Sequence, residues 1–291
     1  MVKFIAEVSS NHHRSLDRCL EFIDKAVEVG CYGVKFQLFK IEQLFAKEIL
    51  DRSEAHRNRK HWELPLEFLP TLAERCRQRG IKFGCTPFYL DAVEELLPYV
   101  DFFKIASYEL LWHELISKCA MTKRPLIIST GMAEISEIKA AIEMVKLAGC
   151  DDLILVHCVS GYPTPVDQCN LAAINTIRNS TGLSVGWSDH SVSPAVIYRA
   201  VHTWRADIIE FHLDLDEQGE EYSSGHCWLP CQIAEVISGI SAGFLADGNG
   251  VKTPLPIEVS DRNWRADPGD GLRPMMSHRK KSTIRDTNDS R

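Results

Sequence analysis

An apolar run turns abruptly polar at Leu183-Ser184-Val185-Gly186-Trp187-Ser188-Asp189-His190. A second run, Asp207-Ile208-Ile209-Glu210-Phe211-His212, also ends in a histidine. Both runs are typical of buried strands. The carboxyl ends of neighbouring parallel strands meet at one edge, where open α/β sheets and barrels hold their active sites. We therefore expect His190 and His212 to lie together and to share one metal ion.

Runs of this kind recur along the chain and alternate with amphipathic segments. The first amphipathic segment, Ser15–Val29, has apolar residues on one helix face and stops at Gly30. Each predicted strand precedes such a segment, and eight repeats predict an α/β protein with the (β/α)8 TIM barrel fold. The predicted strands are Phe4–Val8, Gly33–Gln37, Ile81–Cys85, Phe102–Ile105, Leu126–Ser129, Leu153–Cys158, Ser184–Trp187 and Ile208–Phe211.

Two parts of the chain depart from this alternation. A polar insertion of mixed charge, Lys40–Trp62, follows the second strand and is interpreted equally as a lid over the barrel mouth or as a solvated loop. Beyond the last helix the chain is rich in glycine and proline, so we expect a catalytic barrel over residues 1–247 and an extended tail over 248–291. We expect the polar end, Ser277 to Arg291, to be disordered.

Composition argues against several classes of partner. The 291 residues are 45% hydrophobic and 25% charged, and the formal net charge of -7 argues against a nucleic-acid ligand. No apolar run is long enough for a membrane span, and the N-terminus lacks the apolar core of a signal peptide. Ten cysteines without a Cys-x-x-Cys pair are interpreted as reduced thiols of a cytoplasmic protein.

Polar side chains collect at the predicted strand ends. Two lysines and several hydroxyl groups would share the barrel mouth with His190 and His212, which suits a small phosphate or carboxylate anion beside a metal ion. Nitrogen ligands favour manganese, zinc or iron over magnesium, although two histidines do not choose among them. The other residues at these ends are Glu7, Lys35, Gln37, Thr86, Lys104, Ser107, Glu109, Ser129, Ser160 and Tyr162.

Most of these residues also have a purely structural interpretation. A lysine in a barrel strand can simply pair with a neighbouring carboxylate, and Ser129 can cap the following helix. His157 lies inside an apolar run and is interpreted as a hydrogen-bonded core histidine rather than a ligand. Unrelated core roles would not place so many polar residues at corresponding strand ends, so the set as a whole favours an active site.

The stretches that carry these residues, taken in order, resemble the sialic acid synthase family. Its members condense phosphoenolpyruvate with an N-acetylated hexose to make nonulosonic acids. The likeness covers roughly residues 3–245 and implies the TIM barrel fold and the same chemistry. The matching stretches are Phe4-Ile5-Ala6-Glu7-Val8-Ser9-Ser10-Asn11-His12, Val34-Lys35-Phe36-Gln37, Cys85-Thr86-Pro87-Phe88, Phe103-Lys104-Ile105-Ala106-Ser107, Ile128-Ser129-Thr130-Gly131-Met132, His157-Cys158-Val159-Ser160-Gly161-Tyr162-Pro163-Thr164-Pro165 and Gly186-Trp187-Ser188-Asp189-His190.

The resemblance implies a role for each matching residue. His190 and His212 fall on two ligands of a divalent metal, commonly Mn2+, with Mg2+ or another ion left open. That metal would polarise the sugar aldehyde, the alkene carbon of phosphoenolpyruvate would attack it, water would add, and phosphate would leave. Glu7 or Glu109 would handle the water, and Gln37 would lie near the acceptor. Residues implied to bind phosphoenolpyruvate are Lys35, Thr86, Lys104, Ser107, Ser129, Ser160, Tyr162 and Ser188.

Three departures from the family pattern concern the acceptor sugar. The chain ends too soon for the usual C-terminal antifreeze-like domain, whose arginine reaches the sugar across a dimer. Either Arg265 or Arg273 of the tail replaces that arginine, or the tail only packs on the barrel, and a homodimer is expected by analogy. Tyr108 stands where glycine is usual, and Gly219-Glu220-Glu221-Tyr222-Ser223-Ser224-Gly225-His226 stands in place of Gly-Pro-Asp-His. The acceptor is therefore open among N-acetylmannosamine, a diacetamido-dideoxyhexose and another aldose.

Two other functions remain open at this level. One is a pyruvate aldolase in which Lys104 forms a Schiff base. The other is a non-catalytic barrel that binds a sugar or an anion. Indifference to chelators would favour the aldolase, and an activity test would exclude the binding barrel.

Overall fold

The computed structural model describes residues 2–279, in which eight parallel strands close into a barrel. Each strand pairs with the next along the chain, and β1 pairs with β8 to complete the ring. The predicted TIM barrel is confirmed, and the ends of the predicted strands differ by at most two residues from those observed. The strands are β1 Lys3–Glu7, β2 Gly33–Leu38, β3 Lys82–Pro87, β4 Phe102–Ile105, β5 Leu126–Ser129, β6 Leu153–His157, β7 Val185–Asp189, β8 Ile208–Leu213 and β9 Cys227–Trp228.

Helices follow the strands, and their ends carry the expected signals. The Ser15 hydroxyl accepts a hydrogen bond from the Arg18 backbone N–H at the start of α1, and Gly80 takes a left-handed conformation at the end of α5. The helices are α1 Leu16–Glu28, α2 Ile41–Leu44, α3 Lys47–Arg52, α4 Glu54–Asn58, α5 Leu69–Arg79, α6 Ala92–Leu96, α7 His113–Met121, α8 Ile135–Leu147, α9 Ala173–Thr181, α10 Pro194–Tyr198, α11 Pro230–Ala246 and α12 Met276–Arg279.

The barrel interior has an apolar floor beneath a polar mouth. Residues i and i+2 of a strand share one face, so each inward-facing floor residue is followed two positions later by a residue nearer the mouth. Phe102 of the floor leads to Lys104 in this way, and Ile208 leads to Glu210 and then His212. The polar layer therefore lies directly above apolar side chains. The floor consists of Ile5, Phe102, Ile127, Val156 and Ile208.

A ninth strand, β9, was not predicted. Its two residues pair in parallel with the end of β8, where His212 lies opposite Cys227 and Leu213 opposite Trp228. A two-residue strand is too short to show a periodic pattern, which explains the omission. Its pairing fixes both ends of the connection between β8 and β9, so that connection is held at the barrel mouth.

The insertion Lys40–Trp62 is helical rather than a plain loop. It contains α2, α3, α4 and a 3-10 turn at Arg59–Trp62, and neither α3 nor α4 has a buried residue. These short helices carry mixed charge and lack a periodic apolar face, so the sequence pattern does not predict them. Leu44, Arg59 and Trp62 line the cavity described below, while much of the rest is exposed.

Internal contacts divide the chain into two units, Met1–Ala242 and Gly243–Arg291. The described part of the second unit is rich in turns. The Asp267 carboxylate there accepts hydrogen bonds from the backbone N–H groups of Gly269 and Met276. Residues 277–279 were predicted to be disordered but belong to α12, and residues 280–291 lie outside the described part. No helix within residues 2–279 is long and apolar enough to cross a membrane.

Candidate active site

A cavity of about 410 Å³ opens at the carboxyl ends of the barrel strands. It brings together most of the residues that the sequence had singled out. Ser160 and Glu109 do not line it, and Arg265 and Arg273 belong to the second unit. The predicted residues that line the cavity are Glu7, Lys35, Gln37, Thr86, Lys104, Ser107, Ser129, Tyr162, Ser188, His190 and His212.

Two buried ammonium groups form the base of the cavity. Lys104 Nζ donates to Ser129 Oγ at 2.6 Å and to the Ile105 carbonyl at 3.3 Å. Lys35 Nζ donates to Thr86 Oγ1 at 3.2 Å and forms an ion pair with Glu7. Both side chains are only 3% exposed, so an anion that reaches them would be largely removed from water.

Glu210 is a buried carboxylate that the sequence did not reveal as part of the site. Its Oε1 lies 3.6 Å from Lys104 Nζ and 3.9 Å from Lys35 Nζ, and it accepts a hydrogen bond from Ser188 Oγ at 3.2 Å. Burial alone would raise the pKa of Glu210, but the two lysines outweigh burial and hold that pKa below its usual value. Isoleucine and phenylalanine flank Glu210, so the pattern of an apolar strand does not single out this carboxylate.

Carboxylates therefore do pair with the strand lysines, which is the structural interpretation considered for them. Burial lowers the pKa of Lys35 to about 8, against the raising effect of Glu210 and with the repulsion of Lys104. The pairing places a carboxylate beside each lysine. It does not close them off, because the lysines, Glu7 and Glu210 all line the cavity.

Ser107 and Ser160 form the wall beside the lysines. Their hydroxyl groups are hydrogen-bonded to each other at 2.9 Å, and Ser160 supports Ser107 from outside the cavity. A Cβ atom on Gly131 would collide with Ser160 Oγ and would lie 2.9 Å from Cys158 Sγ. Gly131 is therefore needed to let the loops after β5 and β6 approach each other.

Three histidine rings lie on the opposite side of the cavity. Ring centroids of His190 and His212 are 5.4 Å apart, and those of His212 and His226 are 4.7 Å apart. His190 Nδ1 lies 2.8 Å from the Val159 carbonyl, which can only accept, so this nitrogen carries the hydrogen and Nε2 keeps a lone pair. The expected meeting of His190 and His212 is therefore observed. The Tyr162 ring packs against His190 with centroids 4.3 Å apart.

His190 and His212 are suited to metal ligation because burial favours their neutral form. Burial lowers the pKa of His190 to about 3, and the neighbouring His212 lowers it further. Burial also lowers the pKa of His212, which Glu221 opposes with a contact of 2.9 Å between Oε2 and Nδ1. Neutral imidazoles and a carboxylate form a donor set that fits a divalent transition metal.

Glu109 lies behind the cavity wall while its neighbour Tyr108 lines it. Burial raises the pKa of Glu109 to about 7, and Lys104 acts in the opposite direction. One of its carboxylate oxygens is buried without a hydrogen-bond partner among the described residues. Glu7 is therefore the better placed of the two predicted catalytic carboxylates.

The outer part of the cavity is built from loops. Phe39, Phe88 and Leu44 give it apolar surface, and Arg59 lies over the Trp62 ring at 5.1 Å from the centroid. The indole N–H of Trp62 is buried and has no partner among the described residues. This region can take a ligand with an apolar group and hydrogen-bond acceptors.

Two polar residues beside the site act as structural supports. His157 Nε2 lies 3.1 Å from the Cys169 carbonyl, and the ring packs on Trp187, which matches the predicted core role. The Asp189 carboxylate accepts hydrogen bonds from the indoles of Trp187 and Trp228, each at 3.0 Å. Asp189 thereby ties β7, beside His190, to β9.

Comparison with known proteins supports the resemblance seen in the sequence. The NeuB family model matches residues 22–252. An uncharacterized protein of Methanocaldococcus jannaschii is 36% identical over 87% of this chain and 74% of its own length. The N,N'-diacetyllegionaminic acid synthase of Legionella pneumophila is 32% identical over 89% of this chain and 76% of its own.

A solved structure adds the same result at the level of the fold. The N-acetylneuraminic acid synthetase of Leptospira borgpetersenii serovar Hardjo-bovis superposes with a TM-score of 0.79 and is 30% identical, covering 89% of this chain and 90% of that one. Barrel, order of site residues and sequence similarity therefore agree, and the chain belongs to the NeuB family.

Proposed function

We propose that this protein condenses phosphoenolpyruvate with an N-acetylated hexose, N-acetylmannosamine or a related amino sugar, to give a nonulosonic acid and phosphate. The observation that carries the proposal is the pairing of two buried lysines with three buried histidines across one cavity. The lysines suit the anionic substrate and the histidines suit a metal that would activate an aldehyde.

The base of the cavity would hold phosphoenolpyruvate. Lys104 with Ser129, and Lys35 with Thr86, offer charged and hydroxyl donors to its phosphate and carboxylate groups. Glu210 and Glu7 form ion pairs with these lysines and so fix the direction of their side chains. The apolar floor below them excludes water from the phosphate side, which strengthens each charged contact.

His190 and His212 would hold the divalent ion, with Mn2+ as the expected metal. When bound, the ion would act as a Lewis acid toward the carbonyl oxygen of the acceptor. The alkene carbon of phosphoenolpyruvate forms the new C–C bond with the aldehyde carbon. Water then adds to the former enol carbon, and the C–O bond to phosphate breaks. Glu7 lines the cavity and is the carboxylate we assign to orient that water.

The acceptor would occupy the outer part of the cavity. Arg59 and the unpartnered N–H of Trp62 offer donors to an acyl carbonyl or a hydroxyl group, and Phe39 and Phe88 offer apolar contact to a methyl group. An N-acetylated amino sugar has all these features. Closure of Arg265 or Arg273 over the sugar, a homodimer and a cytoplasmic location remain predictions.

The contacts of Lys104 do not favour a Schiff-base aldolase. Its ammonium group donates to Ser129 and to the Ile105 carbonyl, and it lies beside the Glu210 carboxylate. These contacts engage the nitrogen as a hydrogen-bond donor, whereas a Schiff base requires its lone pair to attack the pyruvate carbonyl. Borohydride treatment in the presence of pyruvate is therefore expected to leave the protein unmodified.

The test is phosphate release from phosphoenolpyruvate with Mn2+ and a panel of N-acetylated hexoses. We expect release that needs a sugar and stops with a chelator, and a loss of at least 100-fold in His190→Ala and His212→Ala. The exposed His202→Ala variant is the matched control and should retain activity. The proposal would be contradicted if phosphoenolpyruvate bound but no sugar in the panel triggered phosphate release, or if phosphate were released without a sugar.

A further inference from the structure

The connection between β8 and β9 carries two groups beside His212 that the proposed function has not used. We propose that Glu221 and His226 are ligands of the same metal ion, so that His212, Glu221 and His226 form a set of two histidines and one carboxylate. His190 lies beside this set, with its ring centroid 5.4 Å from that of His212, and would be a further ligand. The inference rests on the proposed function only for the identity of the site. It names the residues that complete the site and the class of metal they select.

The donor atoms of these residues converge. Those of His212, Glu221, His226 and Cys227 all lie within 4.8 Å of one another. Glu221 Oε2 is 2.9 Å from His212 Nδ1 and 3.4 Å from His226 Nε2. Ligands that surround one ion at roughly 2.1 Å are about 3.0 to 3.4 Å apart, so these atoms, which are in hydrogen-bond contact without an ion, are spaced closely enough to share one.

His226 is held at the cluster through Nε2, the ring nitrogen that lies 3.4 Å from Glu221 Oε2. Its side chain is only 5% exposed, so this nitrogen is largely shielded from water. The other ring nitrogen, Nδ1, is buried without a hydrogen-bond partner among the described residues, and an ion on Nε2 would leave it so. The position of Nε2 beside Glu221 and His212, rather than the unpartnered Nδ1, therefore supports the ligand role.

The backbone around Glu221 is held in place from the first strand. The Asn11 side chain, fully buried, accepts from the Glu221 backbone N–H at 2.9 Å and donates to the Leu213 carbonyl at 2.9 Å. Ser9 Oγ donates to Glu221 Oε1 at 2.5 Å. A Cβ atom on Gly219 would lie 2.5 Å from Asn11 Oδ1, so this close approach depends on glycine. The carboxylate is therefore preorganised rather than free to turn away.

The donor set also selects the kind of metal. Imidazole nitrogens with one carboxylate suit Mn2+, Fe2+, Co2+ and Zn2+, whereas Mg2+ prefers oxygen ligands and retains its waters. Cys227 offers a sulfur in the same cluster, but its Sγ accepts from Asn11 Nδ2 at 3.6 Å. We therefore exclude it from the ligand set and expect a site without thiolate.

The test is binding of Mn2+ alone to the metal-stripped full chain. Binding is monitored through the EPR signal of the free ion. We expect His226→Ala and Glu221→Gln each to weaken binding at least tenfold, with His202→Ala within twofold of the unchanged protein. Binding within twofold in both site variants would overturn the assignment. Far-ultraviolet circular dichroism of the metal-free variants checks folding, and Glu221→Gln keeps the shape of the side chain.

X-ray absorption of the Zn2+-loaded protein counts the ligands directly and does not depend on any variant. Three imidazoles are expected, and two would overturn the role of His226. Neither measurement contains phosphoenolpyruvate or a sugar, so the two proposals can fail separately. If both variants bound Mn2+ more weakly but no sugar triggered phosphate release from phosphoenolpyruvate, the result would support the metal site and contradict the synthase. Unchanged Mn2+ binding with active synthase would do the reverse.

Discussion

The base and the outer part of the cavity are built in different ways. The base is made of strand residues such as Lys35, Lys104 and Glu210, which are buried and paired with one another. The outer part is made of loop residues such as Arg59 and Trp62, which come from the insertion Lys40–Trp62. A rigid base serves a substrate that all members of such a family would share, whereas loops can change with the acceptor. The three predictions below test this division.

The largest effect is expected at the base, in Lys104→Met. The variant removes a cation that contacts Ser129 and leaves Glu210 with less compensation. Removing one partner of a buried ion pair costs about 3–5 kcal/mol of stability, so we expect lower stability. Loss of the charged contact to phosphoenolpyruvate, if worth about 4 kcal/mol, should lower kcat/KM about a thousandfold. Phosphate-release kinetics and urea unfolding measure the two effects.

A double variant separates binding from folding in that experiment. Lys104→Met with Glu210→Gln removes the uncompensated carboxylate, so stability should recover while phosphate release should not. The partly exposed Lys118→Met is the control for loss of one lysine. Full recovery of phosphate release in the double variant would show that Lys104 serves only to balance Glu210.

A smaller and more selective effect is expected at the outer part, in Arg59→Ala. Loss of one charged hydrogen bond at a half-buried position should raise the acceptor KM about tenfold, or about 1.4 kcal/mol, and leave the KM for phosphoenolpyruvate unchanged. Arg52→Ala, on the exposed face of the same insertion, is the matched control. An equal rise in both KM values would break the division between base and outer part.

The smallest effect is expected at the border, in Glu109→Gln. The folded protein keeps a proton on this carboxyl up to its pKa of about 7, while the unfolded chain releases it near the ordinary glutamate pKa of 4.5. The unfolded state therefore binds fewer protons between these pH values, and Glu109 makes stability fall as pH rises from about 4.5 to 7. Urea unfolding at pH 5 and pH 8 should show a smaller decrease in the variant than in the unchanged protein.

The kcat of the same variant gives the result that could contradict this placement of Glu109. Glu109 lies behind the cavity wall, so Glu109→Gln should change kcat far less than Glu7→Gln does. A larger loss in Glu109→Gln would mean that Glu109 reaches the reacting atoms. Glu109 would then belong to the reactive part of the cavity, together with Glu7.

The same division explains what the sequence could predict. Strand residues at i and i+2 share a face, so Lys104 and Ser129 could be placed at the mouth once their strands were recognised. Glu210 escaped because it lies between Ile209 and Phe211, before the end of the strand, whereas the prediction was based on polar residues at the strand ends. A strand pattern thus predicts the position of a residue better than it predicts an unexpected charge.

Loop-borne residues were harder to predict for a different reason. Glu221 and His226 follow His212 on a connection without periodicity, and their meeting depends on Asn11 and on the pairing of β9. Arg59 and Trp62 lie in an insertion whose short helices have no apolar face. Contacts between residues so distant in sequence are set by tertiary structure, and no local pattern carries them.

The shared carboxylate of Asp189 gives the protein an optical property of its own. Trp187 and Trp228 are both buried and donate to this one group, which precedes His190 directly and lies across from the strand that follows His226. Indole emission responds to nearby charge and to paramagnetic ions. Two of the six tryptophans therefore lie where their fluorescence would report binding of the proposed Mn2+, so the proposed metal site could be followed without any attached dye.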